Sequence, residues 1–183
     1  MLISDEYKAQ QESLHSAGNY GTASAAYAPL VSEVINKLEV THILDYGCGA
    51  NTTLARNLKV KHKLKYQAYG PAVERFAADP APAEMVACID VLEHIEPDCI
   101  NEVLDHIKRL AEAVVFVSIH TGPAVKVLPD GRNAHILQRP LEWWLPKLME
   151  RFEIQTVQVT GEYQFYVLAY SRSQIEFVDG SKA

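Results

Sequence analysis

The stretch Leu44-Asp45-Tyr46-Gly47-Cys48-Gly49-Ala50-Asn51 sets an acid just ahead of two glycines at alternate positions. Glycine reaches backbone angles closed to other residues and lets a ligand approach the main chain. An acid beside such a turn can accept hydrogen bonds from an ammonium or hydroxyl group. A second grouping, Cys88-Ile89-Asp90-Val91-Leu92-Glu93-His94-Ile95, ends an apolar run in an acid and follows it with Glu-His. Histidine titrates nearest neutrality, so His94, His120 and His135 are candidates to take a proton from a reacting group, with Glu93 beside them. His15 reads as a structural or exposed histidine. Between His120 and Arg139 the chain carries Arg132, Asn133, Gln138 and Arg139 as well, and two arginines suit a carboxylate or phosphate.

Apolar periodicity supplies the elements that must hold these groups. Thr41 to Tyr46 reads as a buried strand, and Asn51 to Leu58 as the helix fed by the glycine turn, capped by Asn51 or Thr52. Leu64 to Tyr69 is a second strand, with Leu64, Tyr66 and Ala68 alternating against Lys65 and Gln67. Met85 to Ile89 is a third, and Ala113 to Ile119 is the most hydrophobic run and a central strand. Pro97 and Pro140 each open a helix. Phe152 to Val159 and Tyr163 to Tyr170 are separated by a tight turn, so they must pair antiparallel. Helical segments at Tyr7 to Leu14 and Thr22 to Leu38 precede all of this. Strands alternating with helices need parallel pairing through crossovers. The expected class is a three-layer, Rossmann-like α/β fold: a mostly parallel sheet, a C-terminal antiparallel hairpin and N-terminal helices.

The chain has 183 residues, 48% hydrophobic and 22% charged, with a net charge of −6. That profile suits one domain over residues 1–183. No Lys/Arg-rich run offers a patch to a polyanion, so nucleic acid is not the expected partner. No secretory signal and no apolar run of about 20 residues is present, so no membrane partner is expected. Cys48, Cys88 and Cys99 match neither a disulfide framework nor a zinc spacing, which points to a cytoplasmic protein.

The acid followed by alternate glycines resembles the first motif of class I S-adenosylmethionine-dependent methyltransferases. Cys88 to Ile95 looks like the fourth-strand segment of the same family, and the matches span about Ile43 to Ile119. A dinucleotide fingerprint differs, because here the acid comes first and no Gly-x-x-Gly pair follows. The resemblance implies a domain that binds S-adenosylmethionine, leaves S-adenosylhomocysteine as product and methylates a small-molecule acceptor at O or N. It implies cofactor contacts from Tyr20, Asp45, Gly47, Cys48, Gly49, Tyr69, Gly70, Pro71, Asp90, Val91 and Leu92, with His94, His135 and Glu93 acting on the acceptor. Residues 1–40 then form a helical cap. Residues 120–139, long and without periodicity, form an acceptor-recognition loop.

One position departs from the family pattern. The family usually ends its second strand in an acid that holds the ribose hydroxyls, and Gly70 stands there, with Glu74 one helical turn on as the nearest substitute. The departure favours an alternative reading, a non-catalytic cofactor-binding or regulatory subunit. A further alternative is a metal-assisted nucleic-acid methyltransferase. Asp90, Glu93 and His94 resemble the metal-holding segment of small-RNA 2′-O-methyltransferases, with His120 or His135 as a distant ligand. Glu-His after that strand is widespread in members that need no metal, so none is expected.

Overall fold

The computed structural model describes residues 1–16 and 23–172. Six strands form one sheet: β1 (His42–Tyr46), β2 (Lys65–Tyr69), β3 (Ala83–Ile89), β4 (Ala111–His120), β5 (Phe152–Gly161) and β6 (Gln164–Ser171). Their order is β2-β1-β3-β4-β6-β5. The first four are parallel, and β6 runs antiparallel to β4 and β5. Among the described residues the flanking helices are α1 (Asp5–Ser16), α2 (Ser24–Leu38), α3 (Thr53–Asn57), α4 (Ile100–Leu110) and α5 (Leu141–Met149). This is the expected three-layer α/β architecture.

The period-two alternation of each strand divides the core between the layers. Met85 and Ala87 of β3 join Val31, Ile35, Leu54 and Phe116 beneath α2 and α3. Val86 and Cys88 of the same strand join Leu104, Ile107 and Trp144 beneath α4 and α5. Large chains such as Leu104, Ile107, Phe116 and Trp144 are fully buried, each contributing about 1.5–3 kcal/mol. Among the described residues no helix is long and apolar enough to cross a membrane.

Two helix starts differ from expectation. Residues 97–99 form a turn and α4 begins only at Ile100, because a proline marks a turn as readily as a first helical residue. α3 is five residues long, since Thr52 sits at φ 44° and cannot belong to a helix. The Thr52 hydroxyl bonds Asn51 O and caps no helix amide. A helix this short carries little dipole, so a ligand at the preceding turn meets shaped backbone rather than a macrodipole.

The strand order turns between β1 and β3. The chain leaves β1 for β2 on one side and returns to β3 on the other, which opens a crevice at the carboxyl ends of the strands. All of the chemistry-bearing loops empty there.

Candidate active site

Gly47 (φ 82°) and Gly49 (φ 61°) both occupy the left-handed region after β1. The amides of Gly47 and Cys48 donate to Tyr69 O at 2.8 and 3.0 Å, so the end of β2 clamps the turn. A Cβ on Gly47 would lie 2.3 Å from Val91 Cγ2, which leaves room for hydrogen only. Cys48, Tyr69 and Leu92 are buried and back the turn from behind; burial pushes the Cys48 thiol up to about 12. None of the three lines the cavity in front.

That cavity measures about 440 Å³, within the range of about 300–1,000 Å³ usual for small-ligand sites. Gly47 and Gly49 come from the first turn, Gly70 and Pro71 from the end of β2, and Asp90, Val91 and His94 from the segment after β3. His120, at the end of β4, and His135, from the loop that follows, line it as well. The N-terminal helix adds Tyr7, Gln11 and His15. Its start is fastened by Ser4, whose amide and hydroxyl donate to the Glu96 carboxylate at 2.8 and 2.7 Å. Tyr20 lies outside the described residues.

The two strand-terminal acids meet different surroundings. Asp45 is buried beneath the turn, does not line the cavity, and accepts a bond from the Tyr66 hydroxyl at Oδ2. Burial raises its pKa to about 7, against the opposing pull of Tyr66. Asp90 does line the cavity and is held at φ 51°, a conformation uncommon for a non-glycine residue and frequent at functional sites. Its Oδ1 accepts from Ser118 Oγ at 2.5 Å and from Gln164 Nε2 at 2.8 Å. Motif reading does not single out Tyr66, Ser118 or Gln164. Tyr66 and Ser118 come from the adjacent strands β2 and β4 and Gln164 from β6, one strand further on, and only the inward alternation of Tyr66 hints at its role.

The histidines form a chain of rings, His94 to His135 at 4.7 Å and His135 to His120 at 4.9 Å between centroids. His94 Nδ1 lies 2.7 Å from Ala134 O, and His135 Nδ1 lies 2.7 Å from Gly122 O. A carbonyl only accepts, so each Nδ1 carries the hydrogen and each Nε2 the lone pair. Burial, then the neighbouring His135, lowers the His94 pKa to about 3, and burial lowers that of His135 as well. Glu93 is wholly buried behind them. Its Oε1 accepts from His120 N–H at 2.9 Å while Oε2 is buried without a hydrogen-bond partner. Burial, reinforced by the charge of Asp90, holds its carboxyl well above the usual range.

Residues 121–140 contain no helix and no strand beyond a single bridge between Val127 and Asn133. Asn133 holds this loop, accepting from Ala124 N and His135 N at 2.9 Å each and donating to Ala124 O at 2.8 Å. The arginines do not reach the cavity. Arg132 pairs with Asp130 at 2.6 Å and Arg139 lies over the Trp143 ring, so the expected anion receptor is not assembled. Glu74 is exposed and outside the lining, which leaves Gly70 without the acidic substitute expected for it.

No family model and no curated protein matches the chain. Solved structures do. A 1,6-didemethyltoxoflavin N1-methyltransferase of Burkholderia thailandensis, solved with its substrate and S-adenosylhomocysteine, superposes at TM-score 0.67 and 17% identity, over 94% of this chain and 92% of that one. An O-methyltransferase family protein of the same organism gives TM-score 0.60 at 14% identity, over 90% of this chain and 64% of that one. TnmH gives TM-score 0.57 at 16% identity, over 88% and 57%. The chain therefore spans less than two thirds of the length of the last two. At such identities the likeness is one of architecture: the chain has the Rossmann-like fold of class I S-adenosylmethionine-dependent methyltransferases.

Proposed function

We propose that the chain is an S-adenosylmethionine-dependent methyltransferase that methylates a small molecule at O or N. The observation that carries this reading is the convergence of the bare glycine turn, Asp90 and the histidine chain on one cavity at the switch of the sheet. The lining fits the cofactor. Gly47 and Gly49 offer naked backbone to its methionine part, and Asp90 is the one carboxylate among the described lining residues able to meet an ammonium. Gly70, Pro71 and Val91 would border the nucleoside. When bound, the cofactor supplies an activated methyl group, whose transfer depends on positioning and exclusion of water.

The chain's own contribution is made on the acceptor. His135 and His94 present unprotonated Nε2 atoms, and only an unprotonated ring can receive the acceptor's proton. Residues 120–139 serve as the acceptor loop, and of residues 1–40 it is the part around α1 that serves as the cap, a reading supported by Ile3, Tyr7, Gln11 and His15 in the cavity wall, whereas α2 packs on the sheet. The cavity volume and the absence of a basic run favour a small molecule over nucleic acid. Three free, buried cysteines suit a reducing compartment such as the cytoplasm. Calorimetry with S-adenosylmethionine and S-adenosylhomocysteine, followed by tritiated methyl transfer into a metabolite extract, tests the reading. Absence of binding overturns it. Binding without transfer supports the non-catalytic subunit instead.

Gly70 permits a second test. A Cβ there would meet Cys48 Sγ at 3.7 Å, an ordinary contact, so Gly70→Asp can be accommodated. A restored charge-assisted hydrogen bond is worth about 1.5–3 kcal/mol, so S-adenosylhomocysteine should bind roughly ten- to a hundredfold tighter. Glu74→Ala should leave affinity unchanged. Unaltered affinity in Gly70→Asp would show that the ribose is held elsewhere.

A metal-assisted variant of the reaction is favoured by one observation. One ligand atom from each of Glu93, His94 and His135 lies within 4.8 Å of the others, and the buried Oε2 of Glu93 has no hydrogen-bond partner. A divalent cation there would stabilise a deprotonated acceptor. Under this variant, dialysis against EDTA abolishes transfer and Mn²⁺ restores it. Full activity after EDTA leaves the histidines acting alone.

A further inference from the structure

We infer that the peptide unit of Gly122 imposes opposite tautomers on His120 and His135, making His120 a proton donor and His135 a proton acceptor toward the cavity. The acceptor molecule that fits such a pair carries an O–H or N–H beside a carbonyl-type oxygen. The chemical use of the pair rests on the methyl-transfer reading; the tautomers themselves do not.

Gly122 O receives Nδ1–H of His135 at 2.7 Å, which leaves the lone pair on Nε2 of that ring. Nδ1 of His120 stands 3.3 Å from Gly122 N and 3.2 Å from Gly122 O. Gly122 is buried, and its amide meets no other acceptor among the described residues. A buried amide left unpaired is costly, whereas the carbonyl is already satisfied by the shorter bond from His135. His120 Nδ1 is therefore the acceptor of Gly122 N–H, and its hydrogen resides on Nε2. In solution the two tautomers of a neutral imidazole interconvert freely; here one peptide group selects a different one for each ring.

The peptide group is itself clamped. A Cβ at position 122 would fall 2.6 Å from Cγ of Tyr163, and Thr121 N–H donates to Tyr163 O at 2.7 Å. The hairpin turn between β5 and β6 thus presses on a residue that has to be glycine. Glu93 Oε1 fixes the other end of His120 through its amide. Gly122 and Tyr163 are positioning residues, acting through the two rings. With both loop arginines held outside the cavity, recognition by a neutral donor–acceptor pair replaces recognition of an anion.

Long-range ¹H–¹⁵N correlation of the imidazoles in the full-length protein, taken where the rings are neutral, reads the tautomers directly. Nε2–H on His120 and Nδ1–H on His135 is the expected result, and the same tautomer on both rings overturns the inference. Gly122→Ala should mix the tautomers of both rings. For the substrate class the probes are 2-pyridone, with N–H beside C=O, and phenol, whose O–H has no separate acceptor atom beside it, each titrated in the presence of S-adenosylhomocysteine. 2-Pyridone should bind about tenfold tighter than phenol, and His120→Phe should erase that advantage while leaving phenol unchanged. Equal affinities, or binding of neither probe, overturn the assigned class. If the tautomers stand but S-adenosylhomocysteine does not bind, it is the methyl-transfer reading that fails.

Discussion

His135→Ala is expected to slow methyl transfer by about 10²–10⁴-fold at saturating acceptor while leaving S-adenosylhomocysteine affinity within about twofold. The asymmetry follows from position. His135 lines the cavity from the loop after β4 rather than from the glycine turn, and its Nδ1–H is committed to Gly122 O, so the ring works through Nε2 on the acceptor. The pH profile carries an independent check. Burial lowers the pKa of His135 from its ordinary 6.5. The proton-accepting form therefore persists below that value, and the acid limb of the rate should fall beneath it rather than at it. A His135→Ala enzyme with full rate would move the role to another ring, His94 first, whereas a wild-type limb at or above 6.5 would show that neither of these two rings, both lowered by burial, is the base.

Asp45→Asn should stabilise the protein, and by more as pH rises. The folded-state pKa of Asp45 is raised from 3.8 to about 7 by burial. Below 3.8 both folded and unfolded chains hold the proton. As pH climbs, the unfolded chain releases it first, so wild-type stability is lost progressively until the folded carboxyl also ionises near 7. Asparagine keeps the shape and can still accept from Tyr66, but it has no charge to desolvate. The gap between variant and wild type should grow from nearly nothing at about pH 4 to on the order of 3–4 kcal/mol at about pH 8. Thermal unfolding would show this as a rise of roughly 5–15 °C at the higher pH. Cofactor binding supplies the counterpart. A cation arriving at the turn favours the ionised carboxyl, so wild-type affinity should increase as pH rises through about 7, and Asp45→Asn should bind with little pH dependence. A variant less stable than wild type at high pH would mean that the carboxylate is ionised and well satisfied in the fold.

Legibility in the sequence followed the range of the interaction concerned. Strand β3 could be read because every second side chain from Met85 to Ile89 answers to one face, and the hairpin of β5 and β6 because no crossover fits between Val159 and Tyr163. Helix starts were harder. Pro97 and Thr52 carry signals that a turn uses as well as a helix does, and only their backbone angles and neighbours decide between the two. Arg132 and Arg139 looked like an anion receptor because residue type is visible in a sequence; that Asp130 and Trp143 occupy them is not.

Asp45 and Asp90 give the clearest contrast. Each ends a buried apolar run, and by local pattern they are equivalent. The order of residues alone determined the alternation of strands and helices, the glycine turn, and the edge of the sheet at which chemistry would gather, since periodicity and glycine's backbone freedom are local properties. Which acid faces the cavity, which histidines touch, and which nitrogen of each holds its proton were decided by the tertiary structure. Those outcomes depend on partners brought from distant parts of the chain: Tyr66 across from Asp45, Ser118 and Gln164 around Asp90, and the Gly122 peptide between two rings.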